Sequence, residues 1–208
     1  MFTRLETLKY VDFTYRDGTF LFTYLLDDEK VVIELSHTQK SSLPQPTIEK
    51  IGFNIGMCYL MDLTEITMTK NIEIYKKLPP LALNYWITLY EEQILEKCYI
   101  LGLPTTAKNV VWKMHEEEID MKPVEITGER DHAAICLTGG KESLSLLKTL
   151  DGKKPLLLFF LDLETNVHRQ KVYEAIKDRH LTISTVSNRK KLFKPLEDKY
   201  KGLQCGVD

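Results

Sequence analysis

From Leu8 to Leu35 hydrophobic and polar residues alternate. Tyr10, Phe13 and Tyr15 lead into Asp17-Gly18, and Phe20, Phe22, Tyr24 and Leu26 then fall on every second position. Val31-Val32-Ile33-Glu34-Leu35 follows the acidic turn Asp27-Asp28-Glu29. A period of two puts one face of a strand against a core, and Asp-Gly favours a two-residue hairpin. An antiparallel meander is predicted. Beyond the linker Ser41-Ser42-Leu43-Pro44-Gln45-Pro46 the period becomes helical. One helix is expected over 47–63, with Ile48, Ile51, Ile55, Cys58 and Tyr59 on a core-facing stripe. After Pro79-Pro80 a second is expected over 80–101, through Leu83, Trp86, Ile87, Tyr90, Ile94 and Leu101. Residues 102–130, with Glu116-Glu117-Glu118, have weak periodicity and are expected to form a connector with some short structure.

The pattern changes again at Ala133-Ala134-Ile135-Cys136-Leu137. This apolar run ends in Thr138-Gly139-Gly140-Lys141-Glu142-Ser143, and Leu144, Leu147 and Leu150 follow at helical spacing up to Asp151-Gly152. Strand, glycine turn and helix are predicted. Such a turn aims backbone N–H groups at the positive end of a helix, which suits an anion and above all a phosphate. Leu156-Leu157-Leu158-Phe159-Phe160-Leu161 is a continuous apolar run, expected as a strand buried on both faces of a parallel sheet. A helix containing Val172, Ala175 and Ile176 should follow a cap at Thr165 or Asn166, and residues 181–186 should form a third strand. The order β-α-β-α-β is the unit of a doubly wound sheet. Asp162, at a strand's carboxyl end, suits either a ligand or metal contact or a capping role.

The turn is not a Walker A loop. Ile135 stands where that pattern needs a glycine, and Glu142 where it needs Ser or Thr. It lacks the third glycine of the dinucleotide fingerprint. The order hydroxyl, Gly, Gly, any residue, acid, Ser resembles the PP-loop of the ATP pyrophosphatase superfamily, Ser-Gly-Gly-x-Asp-Ser, with Thr138 for the first Ser and Glu142 for Asp. The resemblance implies that Thr138, Gly139, Gly140, Lys141, Glu142 and Ser143 hold the ATP phosphates. It also implies that Phe160, Leu161 and Asp162 lie beside the adenine, and that Glu142 and Asp162 help hold Mg²⁺. The implied chemistry is cleavage of ATP to AMP and pyrophosphate while a carboxylate or carbonyl is adenylated. Glu142, Asp162 and Glu164 are candidates for a base. A meander, then helices, then this loop, with Tyr75 before Pro79 and Tyr90 before Gly102, also resembles the amino-terminal part of muramyl-peptide glutamate epimerases. That resemblance implies a peptide-linked glutamyl acceptor.

The expected fold is therefore α/β: a partial doubly wound parallel sheet of PP-loop type over 131–208, preceded by a small α+β domain over 1–130. Some 65 residues follow Ser143, about half of a usual PP-loop domain. Either the chain is a fragment of a larger enzyme or it is a short form. In both cases the loop strand lies near an edge that a partner subunit, a second copy or the amino-terminal half should cover. A nucleotide-binding or assembly module without turnover is the alternative function.

Composition narrows the classes. The 208 residues carry 43% hydrophobic and 28% charged side chains with net charge −2, which gives no nucleic-acid footprint. Arg189-Lys190-Lys191 is local and fits a solvated face as well as a phosphate-proximal cluster. No apolar stretch is long enough to span a bilayer and no signal peptide opens the chain, so a cytoplasmic protein is expected. Cys58, Cys98, Cys136 and Cys205 form no Cys-x-x-Cys pair, and Cys136 is expected to be small and buried. His132 and His168 flank the loop and the next helix, with surface or cap roles expected.

Overall fold

A computed structural model describes residues 4–37, 43–105, 109–122, 133–137, 140–153, 155–160 and 167–200. The protein is α/β: among the described residues, eight strands form one mixed sheet and five helices pack on it. The meander is present as β1 (Thr7–Arg16), β2 (Thr19–Leu26) and β3 (Glu29–His37). Asp17 and Gly18 both have positive φ, 50° and 82°, as a tight hairpin matching strand twist requires. Between Tyr10 and Asp12 the β1–β2 register shifts by one residue at Val11. Simple alternation would put Tyr10 and Phe13 on opposite faces. The bulge brings both opposite core residues, Tyr24 and Phe22 respectively.

Helix α1 (Gln45–Thr67) lies on this aromatic face. Its buried side keeps part of the expected stripe, with Ile48 in the core and Ile55 and Tyr59 packed against it. Gly52, Phe53, Gly56, Met57 and Leu60 are buried, whereas Ile51 is 39% exposed and Cys58 is exposed. The reason lies in β1: the Phe13 and Tyr10 rings occupy the space where Cβ atoms on Gly52 and Gly56 would stand. Met68 closes the helix in the left-handed region, and Arg4 binds the carbonyls that follow, its Nε to Met68 O at 2.7 Å and its Nη2 to Thr69 O at 3.1 Å.

Two parallel strands lie where alternation is too short to be read as a strand: β4 (Asn71–Ile74) beside β1 and β5 (Val111–Met114) beside β4. The expected connector thus contains a strand. Helix α2 (Pro80–Leu101) links the two and ends at Gly102, φ 64°. Trp86, Tyr90, Ile94 and Cys98 are its buried positions.

The second half runs β6 (Ala133–Cys136), α3 (Lys141–Leu150), β7 (Leu156–Phe160), α4 (Val167–Ile176), β8 (Leu181–Ser187) and α5 (Arg189–Tyr200). β6, β7 and β8 are parallel. The sheet order is β5-β4-β1-β2-β3-β8-β7-β6, which leaves β6 at an edge. The amino-terminal half covers the edge of β8, not that of the loop strand. Burial on β7 also differs from expectation. Leu156, Leu158 and Phe160 pack with Leu147 of α3 and Ile176 of α4, but Leu157 and Phe159 are only half-buried. One face of this part of the sheet has its helices; the other is only partly covered. Cys136, on that second face, is exposed.

Asn188 fastens the halves together. β3 meets β8 antiparallel through Leu35–Ser187, Ser36–Val186 and His37–Thr185. Asn188 then extends the ladder with its side chain: Oδ1 accepts from Glu34 N at 2.9 Å, and Nδ2 donates to Val32 O at 3.2 Å. Asn188→Ala is expected to destabilise the protein by about 1–3 kcal/mol through lost partners of backbone groups. Urea unfolding measures this; a loss below about 0.5 kcal/mol would show that water replaces the amide. Among the described residues, no helix is long and apolar enough to cross a membrane.

Candidate phosphate-loop site

β6 and β7 bring the start of the turn to the carboxyl end of the parallel strands. Leu137 N donates to Phe159 O at 2.8 Å, so the β6–β7 ladder continues to the residue before Thr138. Thr138 and Gly139 lie outside the described residues. Gly140 is the N-cap of α3 with extended φ −76° and ψ 164°, and as a glycine it offers no side chain to cap the helix. Ser143 Oγ donates to Gly140 O at 3.0 Å, and Leu144 N donates to the same oxygen at 3.2 Å. The Ser143 hydroxyl is thereby held against the turn. Lys141 and Glu142 are exposed on the first turn of α3. A carboxylate there also favours the helix dipole without any ligand.

Of the adenine-side candidates, Phe160 is fully buried, its ring edge-on to Tyr173 at 5.4 Å and 90°. Only its backbone is placed to read a base, and its carbonyl accepts from Thr185 Oγ1 at 3.5 Å. Leu161 and Asp162 lie outside the described residues, as do Glu164 and His132. Among the described residues no group of three or more His, Cys, Asp or Glu could hold a metal. Glu142 is the one described carboxylate of the two Mg²⁺ candidates.

No family model, curated protein or solved structure matches this chain. The case for the site therefore rests on its own residues and geometry.

A second polar hollow lies between α1, α2 and α5, where Arg189 Nη2 meets Asp62 at 3.0 Å and Lys97 Nζ meets Glu65 at 3.2 Å. The sequence marked only Arg189, within its basic run, because the other members come from separate helices. Burial raises the Asp62 carboxyl above its ordinary value, against the opposing pull of the Arg189 guanidinium. A raised folded-state pKa means that the native protein holds this proton more tightly than the unfolded chain. The resulting stability is fully present below 3.8 and is lost as pH rises through the folded value. Asp62→Asn is expected to match wild type in melting temperature below that pH and to equal or exceed it at neutral pH. A variant that melts lower at neutral pH would show that the Arg189 pair outweighs desolvation.

Proposed function

We propose that the protein binds Mg-ATP at the β6–α3 turn, as a PP-loop nucleotide-binding fold does, and cleaves it to AMP and pyrophosphate. The observation that carries this reading is the glycine N-cap of α3. It sits at the carboxyl end of a parallel βαβαβ unit, its N-cap glycine carries no side chain over the first-turn amides, and the Ser143 hydroxyl lies on the same turn, donating to Gly140 O. In this reading an oxygen of a carboxylate or carbonyl acceptor attacks the α-phosphorus of ATP. The bond from that phosphorus to its bridging oxygen breaks, and pyrophosphate departs with the electron pair. Backbone N–H groups of Gly139 and Gly140, the hydroxyl of Thr138, that of Ser143 once it turns from the Gly140 carbonyl, and Lys141 stabilise the charge that grows on the leaving group. Glu142 and Asp162 would hold the hydrated Mg²⁺, which supplies further charge neutralisation when bound. The acceptor class is a glutamyl carboxylate on a muramyl peptide if the second resemblance holds. A cytoplasmic setting, where ATP is available, suits this chemistry.

One observation favours the rival, a nucleotide-binding or subunit-assembly module without turnover. Among the described residues β6 pairs only with β7, so nothing there flanks the outer side of the turn. Calorimetry with Mg-ATP, with pyrophosphate assayed in the same samples, separates the two. Binding with release supports the enzyme, and binding without release supports the module. Neither binding nor release overturns both.

A further inference from the structure

The isoleucine stripe of α1 enters the core only through Ile48, with Ile55 at its margin and Ile51 exposed, and all three isoleucines line a cavity. Gly52 and Gly56 draw α1 down onto β1, which leaves Ile48, Ile51 and Ile55 standing over the half-covered face of β7 and β8. Between them and Phe20, Phe159 and Ile183 lies a hollow of about 460 Å³. That volume lies in the ordinary range for small-molecule sites, which are mostly apolar with a few placed polar groups. Here the placed group is a Tyr–His pair. Tyr15 Oη and His37 Nε2 share a hydrogen bond of 3.2 Å, with their rings stacked at 5.9 Å and 12°. With the imidazole proton on Nε2, His37 donates to Tyr15 Oη, and the phenol hydrogen is left to donate to a guest. An acceptor is what the pair recognises in that tautomer, and a charged oxygen makes the stronger bond.

We infer that this cavity is a binding site for an apolar carboxylic acid, its chain or ring lying between the isoleucines and Phe159 and its carboxylate at Tyr15. The inference goes beyond the nucleotide reading and does not depend on it. Three residue features build the site: small residues that seat the helix, branched residues that overhang the sheet, and a polar pair at one wall.

The test is calorimetry on the full chain with decanoate, 2-naphthoate and 1-decanol, each below its aggregation limit. Saturable one-to-one binding of at least one acid is expected, with 1-decanol at least about tenfold weaker because it offers no charged acceptor. Ile51→Glu should weaken acid binding at least about tenfold by placing a like charge in an apolar wall. Its melting temperature should stay near wild type, since Ile51 is 39% exposed. Tyr15→Phe should remove the preference for acid over alcohol and leave 1-decanol binding unchanged. Should Ile51→Glu fail to fold, Phe159→Ala enlarges the hollow and should shift preference from decanoate toward dodecanoate. Absence of saturable acid binding overturns the proposal. So does equal affinity for decanoate and 1-decanol, or acid binding indifferent to the wall substitutions.

Discussion

Replacing Gly140 with Asp should abolish Mg-ATP binding while leaving the protein as stable as wild type or slightly more so. The two effects come from the same position and have opposite signs. Gly140 has φ −76° and ψ 164°, a conformation any residue adopts, so the substitution introduces no backbone strain. Aspartate is a favoured N-cap, and the native Gly140 has no side chain with which to cap α3. The new carboxylate can accept from the first-turn amides, a gain of a few tenths of a kcal/mol over glycine. Those are the amides a phosphate would use. A carboxylate roughly 4 Å from a phosphate oxygen opposes it by about 4 kcal/mol at an effective dielectric near 20. Repulsion therefore far exceeds the capping gain once ATP is offered, and affinity should fall on the order of 100- to 1,000-fold. Calorimetry gives the affinity and a thermal melt gives the stability. Retained ATP binding in Gly140→Asp would place the nucleotide elsewhere. A large drop in melting temperature would mean that the turn tolerates no side chain, and Gly140→Ala would then be the informative variant. Serine at 143 offers a smaller companion test, because Ser143→Ala removes one donor while α3 keeps its backbone bonds.

What the sequence disclosed of this fold follows from the strength of each local signal. The meander was legible because Phe20, Phe22, Tyr24 and Leu26 alternate strictly and Asp17-Gly18 can do little but turn. Helix α2 was legible to its ends because Pro79-Pro80 and Gly102 punctuate it. β4 and β5 were not, since Asn71-Ile72-Glu73-Ile74 and Val111-Trp112-Lys113-Met114 are four residues each. Two turns of alternation carry little information, and Glu73 and Lys113 owe their places to each other. They are register partners, and Glu73 also binds Lys9 at 2.9 Å across β1. The β3–β8 junction was hidden for another reason: it is a long-range pairing between residues some 150 positions apart, set by Asn188 and three strand pairs. At the candidate site the loop's residue types were readable, and so was the frame of strand, turn and helix. Its position at a sheet edge depended on strand order, which no local pattern contains. The face of α1 was legible only in part, at Ile48, Ile55 and Tyr59, because glycine leaves no mark in a hydrophobic stripe. The stripe Ile48–Ile51–Ile55 is real as a pattern, but it lines the cavity, while the contact with the sheet is made through Gly52 and Gly56.

That contact should make Gly56→Ala one of the most damaging small substitutions in the protein. In an ordinary helix interior, alanine for glycine is stabilising by about 1 kcal/mol. Here an added Cβ would fall within the Tyr10 hydroxyl and Cζ, with Cε1 at 2.8 Å. The ring has no room to retreat. Tyr24 stacks on it at 5.1 Å, Phe53 lies at 5.7 Å and Tyr75 meets it edge-on at 5.0 Å. Nor can the helix rise freely, because Tyr24 Oη donates to Gly56 O at 2.7 Å in a buried site. Overpacking of this kind is destabilising by about 1–3 kcal/mol or more, and the absence of any escape puts the expected loss near 3 kcal/mol, net of the helical gain. For a chain of this size that corresponds to a fall of roughly 6–12 °C in melting temperature. Tyr10→Phe supplies the internal check. Tyr10 Oη is buried with no well-aligned partner among the described residues and only a weak interaction with the Tyr75 hydroxyl, so its removal should be near neutral in the wild-type background. In the Gly56→Ala background the same change removes the nearest clashing atom and should recover at least about 1 kcal/mol, a coupling that independent sites do not show. The ring carbon still crowds the new methyl group, so recovery should be partial. A loss below about 1 kcal/mol in Gly56→Ala would mean that α1 slides along β1 at little cost. In that case the cavity beneath Ile51 and Ile55 would change shape with it, and acid binding in the same variant would report the slide directly.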